Sequence, residues 1–256
     1  MMHLNTHFFR LSAILLPVLF SGCTHYFYAP SLPLSPGFQE RGDVMLMAGG
    51  GVQDHSSGWE MKGGYAFSNH FFGALEAGFF EGSEYLGNDG KGRFLGAAGG
   101  WYHLYERSQR IGWLFSAHLA LQQSRAENIF SEENYVTGVG PVYLGQTDMR
   151  FRKYYLEPGV ALLSRYVQLH ASLRLGALRY FELDSDLTPP FGVVLEGFPE
   201  LDRVYSVIEP GLSLNFGRRN GQFQLKWVQV GRKYPFSVAE SSIGLTWVLY
   251  PNRFFQ

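Results

Sequence analysis

Cysteine is almost missing: Cys23 is the only one in the chain, so neither a disulfide framework nor a cysteine-based metal site can be built. Charge is sparse as well. Only 17% of residues are Asp, Glu, Lys or Arg, the formal net charge is −1, and no basic stripe is available to neutralise phosphates, which excludes nucleic acid as an expected partner. There is no HExxH helix, CxxC pair, Walker loop or nucleophile elbow, so the sequence offers no catalytic set, metal site or cofactor. The apolar run from Leu11 to Phe20 is too short to cross a bilayer as a helix.

What the chain does have is alternation, glycine and aromatics. From Val167 to Ala177 the residues Val167, Leu169, Ala171, Leu173, Leu175 and Ala177 share one face, while Gln168, His170, Ser172, Arg174 and Gly176 share the other. A two-residue period is that of a strand. Tyr154 to Leu162 repeats it, and the tight link Leu163-Ser164-Arg165 makes the pair an antiparallel hairpin. Similar segments recur near 43–53, 58–67, 71–81, 92–105, 111–126, 150–162, 166–179, 203–216, 222–231 and 238–250, an even count of ten. Gly96, Gly99 and Gly100 blur the period of the fourth and mark a possible bend or bulge there.

The connectors alternate in length. Those at 68–70, 106–110, 163–165 and 218–221 are short, whereas the others include two long loops, Glu127 to Met149 and Tyr180 to Asp202. Short turns on one rim and long loops on the other are the pattern of an outer-membrane barrel, with the turns periplasmic. Many strands reach the ten or so residues a tilted strand needs to cross a bilayer. Phe67, Phe71, Tyr105, Trp113, Tyr166, Phe216, Phe223 and Tyr250 stand at strand ends beside the turns, where aromatic girdles lie. The expected fold is therefore all-β: a transmembrane antiparallel up-and-down β-barrel of about ten strands over residues 43–256. A lipid-tethered periplasmic β-domain with its two faces exchanged is the alternative.

The start of the chain has a mildly basic head (His3, His7, Arg10), the apolar run, then Ser21-Gly22-Cys23, which reads as a signal peptide over 1–22. Leu19-Phe20-Ser21-Gly22-Cys23 resembles the bacterial lipobox, and this resemblance implies acylation of Cys23. Thr24 in place of Asp implies export to the outer membrane. Residues 23–42 carry Pro30, Pro33 and Pro36 without alternation and are expected to form an extended periplasmic tether. Cys23, Tyr28-Ala29-Pro30, Pro33-Leu34 and the step Glu40-Arg41-Gly42-Asp43 look like the mature start of small barrel lipoproteins of Gram-negative bacteria. Phe254-Phe255-Gln256 resembles the aromatic C-terminal signal of outer-membrane barrels. These resemblances imply barrel-assembly and lipoprotein-export machinery as partners, with outer-membrane lipid and lipopolysaccharide around the barrel.

Turning the greasy face to lipid sends Glu60, Lys62, Glu76, His118, Glu157, His170, Arg174, Glu209, Lys226 and Glu240 into the lumen. Desolvated ions need partners, so a salt-bridge network plugging the lumen is expected. With more carboxylates than fixed cations in the set, a narrow cation-preferring water path is the rival. Tyr155-Leu156-Glu157-Pro158-Gly159 is echoed by Val207-Ile208-Glu209-Pro210-Gly211, giving two inward carboxylates that anchor interior Lys or Arg, each beside a proline that removes a ladder N–H and favours a bulge or bend. Asp184, Asp186, Glu196, Glu200 and Asp202 in the longest loop are candidates for divalent cations bridging lipopolysaccharide. The expected role is non-enzymatic, structural or surface-interacting through the long loops. A small passive channel and a barrel enzyme acting on lipid A or peptides, resembling lipid A deacylases or omptin proteases, are the alternatives; the histidines at 55, 70, 103, 118 and 170 match no motif of such enzymes.

Overall fold

The computed structural model describes residues 28–34, 37–53, 56–83, 89–108, 111–133, 141–164, 166–187, 198–218, 220–231, 233–236 and 238–254. The signal segment, Cys23, His55, Glu196 and the last two residues lie outside them. Ten antiparallel strands close into one barrel: β1 (Val44–Gln53), β2 (Ser56–Ala66), β3 (Phe71–Ser83), β4 (Asp89–Ser108), β5 (Ile111–Glu133), β6 (Pro141–Ser164), β7 (Val167–Ser185), β8 (Val204–Arg218), β9 (Gly221–Gln229) and β10 (Ser241–Leu249). Each strand pairs with its sequence neighbours, and β1 pairs with β10 from Leu46↔Leu249 to Val52↔Ile243. Closure leaves no edge strand to be covered.

Two expectations about length are corrected. Most of the stretch expected as a loop from Glu127 to Met149 is strand, because β5 runs on to Glu133 and β6 begins at Pro141. The period persists there: Ala126, Asn128 and Phe130 are buried on the inner face and Met149 faces them. β7 likewise extends to Ser185. The glycines of β4 introduce no bulge, since its register with β5 slips only between Glu106 and Ser108.

The short connectors β2–β3, β4–β5, β6–β7 and β8–β9 share one rim with the start of β1 and the end of β10. At that rim Asp43 accepts from Asn252 Nδ2 (2.9 Å), Arg253 Nε (3.1 Å) and the backbone of Gln39 (2.8 Å), and a second Arg253 nitrogen also contacts it. Arg253 donates in addition to the Gly37 carbonyl at 2.9 Å. This clasp ties the N- and C-terminal ends of the sheet together.

Outward and inward faces are opposite in kind to those of a soluble barrel. Leu75, Leu95, Leu119 and Leu245 are 66%, 67%, 66% and 64% exposed, whereas Lys62, Arg174 and Lys226 are buried. Leaving a large apolar side chain in water forgoes roughly 1.5–3 kcal/mol each. On β5 the apolar outward positions run from Ile111 to Leu121, roughly 25–28 Å at the usual strand rise and tilt.

The segment expected to be a periplasmic tether runs instead through the lumen for residues Tyr28 to Leu34. Tyr28, Leu32, Leu34 and Phe38 are all buried. Tyr28 packs near the loop rim with Phe130, Phe151, Tyr180, Tyr205 and Phe236, and its carbonyl accepts from the Ala239 N–H at 3.0 Å. Leu34 and Phe38 pack near the turn rim with Met45, Phe72, Tyr102 and Tyr250. The chain therefore descends the axis from loop rim to turn rim before turning into β1. A ten-stranded barrel is wider than the eight-stranded kind whose own side chains just fill it, and the added segment occupies the remaining core.

Candidate functional site in the barrel lumen

Between the two apolar layers lies a layer of ions set by strand parity. Glu60 and Lys62 come from β2, Glu76 from β3, Lys153 and Glu157 from β6, Arg174 from β7, Glu209 from β8 and Lys226 from β9, all buried. Four cations and four carboxylates thus meet in one layer, so the expected excess of carboxylate disappears. Two residues account for the change. Lys153 has the same parity as Tyr155 and Glu157, and the strand's period pointed to it although it was not among the expected set. Glu240 is exposed and lies just ahead of β10, which begins at Ser241; inward alternation does not extend to it.

Among the described residues seven of the eight ions form ion pairs, while Lys226 rests on the Pro33 carbonyl and the Met47 sulfur. Lys62 Nζ lies 3.3 Å from Glu60 and 3.1 Å from Glu76. Glu76 also accepts from Gln122 (2.8 Å) and the Tyr155 hydroxyl (3.1 Å). Arg174 Nε donates to Glu157 at 2.6 Å and its Nη1 to Glu209 at 3.3 Å. Lys153 reaches Glu209 at 3.0 Å. His118 stands 3.4 Å from Glu157, with its ring edge-on to Phe72 and Tyr155. An isolated ion here would cost several kcal/mol, which the mutual pairing offsets.

The axial segment completes the coordination. Lys62 donates to the Leu32 carbonyl (2.5 Å), Arg174 to the carbonyls of Ser31 (2.5 Å) and Leu32 (2.8 Å), and Lys226 to that of Pro33 (2.7 Å). Lys153 donates to the Tyr28 hydroxyl at 2.5 Å, and that hydroxyl donates to Glu209. The Leu32 N–H is taken by Glu60 at 2.7 Å. Pro30 and Pro33 have no N–H to satisfy, so an extended backbone rich in acceptors meets a wall rich in cations. Room is made where the segment touches the wall: a Cβ on Gly211 would come 2.7 Å from Pro33 Cγ, and one on Gly244 would collide with Leu32 Cδ1.

The echoed motifs now have a geometric meaning. β6 and β8 flank β7, so Glu157 and Glu209 grip Arg174 from either side. The prolines cause no bulge. β6 and β7 keep one register across a gap at Glu157-Pro158, from Leu156↔Leu175 to Gly159↔Ser172, and the β8–β9 ladder stops at Gly211, beside Pro210.

The remaining candidates are dispersed. His170 is buried on β7, while the His70 and His103 rings lie 5.6 Å apart, tilted, near the turn rim. In the loop between β7 and β8, Asp202 pairs with Arg179 at 2.8 Å, Glu200 with Arg203, and Asp186 with the backbone of Gln146 at 2.5 Å. No group of three metal-ligating side chains forms among the described residues, so these acids are not gathered into a cation site. At the turn rim, just ahead of β1, burial raises the pKa of Asp43, but hydrogen bonds from Arg253, Asn252 and Gln39 outweigh it and hold the carboxyl below its usual value of 3.8.

No protein-family model matches the chain, and no curated protein matches it in sequence. Among solved structures it is similar to LpxR from Salmonella typhimurium (5% identity, 80% of this chain and 99% of that one, TM-score 0.38). It is also similar to the NanC porin (7%, 81% and 98%, TM-score 0.36) and to the transport unit of the autotransporter AIDA-I from Escherichia coli (6%, 85% and 93%, TM-score 0.34). Likeness at this level is too slight to bear on function, which rests on this chain's own geometry.

Proposed function

We propose that the protein spans the outer membrane as a sealed, non-conducting and non-enzymatic barrel whose role is structural, presenting a raised loop rim at the cell surface. The observation that carries this reading is the axial segment: Tyr28 to Pro33 contact all four buried cations of the ion layer, which supports a built-in plug over a water path. The exposed apolar belt supports membrane insertion, and the short turns support a periplasmic turn rim. His118 and Glu157, the pair closest to an acid–base arrangement, each have side chains only 1% exposed, beyond the reach of a substrate at either rim. Acylation of Cys23, implied by the lipobox resemblance, would add an anchor to a barrel that its belt already holds. Assembly would then draw on the barrel-assembly and lipoprotein-export machineries.

Electrophoresis of outer membranes with and without boiling tests the barrel: a faster, compact unboiled band is expected, and an unshifted band would point to a tethered periplasmic β-domain. Planar-bilayer recording tests the seal. The wild type should give no steady conductance, and Glu157→Gln with Glu209→Gln should lower stability; a stable conductance in the wild type would make it a channel.

A further inference from the structure

We propose that the outward face of β4–β7, with the furrow beside it on β1–β4, binds a bis-phosphorylated acyl lipid, namely the lipid A portion of lipopolysaccharide. This rests on the membrane reading above, in which the loop rim meets the outer leaflet. The apolar belt ends toward that rim at Leu95 on β4, Leu121 on β5 and Tyr154 on β6, and the next outward residues are Arg93, Gln123 and Arg152. The sheet register aligns these with further arginines. Arg93 is opposite Arg125 and Arg125 opposite Arg150; Gln123 is opposite Arg152 and Arg152 opposite Arg179. The corresponding outward positions of β9 and β10 are Trp227, Gln229, Ile243 and Leu245, so the cationic row is confined to one side of the barrel.

Arg125, Arg150 and Arg179 have carboxylate partners in Asp148, Glu182 and Asp202, partly or fully exposed pairs of the kind that contribute little. Among the described residues no ion pair engages Arg93 or Arg152, and Arg152 sits 4.9 Å over the Phe181 ring. These two cations stand two strands apart laterally and two residues apart along the strand, roughly 12 Å at ordinary strand spacing and rise, which suits two phosphates better than one. Guanidinium groups bind phosphate through paired hydrogen bonds. Toward the membrane from Arg93 and to its β3 side, the small outward residues Ala48, Gly63 and Ala77 lie between Met61, Leu75 and Leu95, with Trp247 of β10 beyond, and leave an apolar furrow of about 400 Å³. A headgroup on the arginines places its acyl chains alongside that furrow.

The test titrates purified, delipidated full-length mature protein with lipid A in detergent and reads bound lipid by native mass spectrometry. In Arg93→Gln/Arg152→Gln, apparent affinity for lipid A should fall roughly 30-fold, at about 1 kcal/mol per arginine near a lipid surface. In Ala77→Trp it should fall with the arginines intact. Phosphatidylglycerol should bind the wild type more weakly than lipid A. Unchanged lipid A binding in the double variant, or equal binding of phosphatidylglycerol, would overturn the proposal. The boiled and unboiled bands of each protein keep the two readings apart: a wild type with no compact band fails as a barrel, whereas a shifted variant that binds lipid normally fails only the lipid site.

Discussion

Arg174 donates to Glu157, Glu209 and two carbonyls of the axial segment, so its loss strips buried Glu157 of its cation and leaves Glu209 with Lys153 and Tyr28 alone. Arg174→Met should cost roughly 3–5 kcal/mol, measured by urea unfolding of the refolded barrel. Adding Glu157→Gln to that variant should cost less than the sum of the single changes, because the two groups share one interaction. Asp43 gives a pH-dependent case. Its folded pKa lies below 3.8, so the stability it supplies is full above that value and is lost as pH falls through the lower folded pKa. The gap in unfolding midpoint between wild type and Asp43→Asn should therefore be constant at neutral pH and close in strong acid. A gap that persists at the acid end would show that the clasp does not depend on the carboxylate's charge.

At the scale of elements, the axial segment and the wall are fitted to each other. A valine at Gly211 or Gly244 overfills the lumen beside Pro33 or Leu32, a kind of change that costs roughly 1–3 kcal/mol. In Gly244→Val the barrel should persist, with a compact unboiled band, while residues 28–34 become open to protease. Protection equal to the wild type's would mean the segment is not held by that contact. The β6–β7 hairpin shows how much alternation reveals: its inward set was legible throughout, and Lys153 lay on it by parity. The axial segment was not legible as a plug because three prolines without alternation describe an exposed tether equally well. Its signal was Tyr28, Leu32, Leu34 and Phe38, more apolar surface than a solvated linker carries.

For the whole molecule, the proposed membrane reading places the loop and turn rims on opposite sides of the bilayer. Single cysteines at Asp184 or Glu200, exposed on the loop rim, should react with an impermeant reagent in intact cells, while cysteines at Glu40 or Asn69, exposed on the turn rim, should react only after the outer membrane is opened. The reverse pattern would invert the assigned orientation. A Cys23→Ala change should leave the mature chain in the membrane fraction, since the belt alone holds it; release into the periplasm would refute the transmembrane reading.

The sequence by itself determined the ten strands, their antiparallel order, the short-turn rim and the inward face of most of them, because each depends on a two-residue period and on local turn chemistry. Glu60, Lys62, Glu76, Glu157, Arg174, Glu209 and Lys226 could be named as lumen residues on those grounds alone. Only the tertiary structure decided where the strands stop toward the loop rim, that Glu240 falls outside and Lys153 inside, and that the ions balance. It alone placed the N-terminal segment on the axis. Closure creates that axis, and the affinity of a donor-poor backbone for a ring of cations arises only once ten strands distant in sequence share one interior.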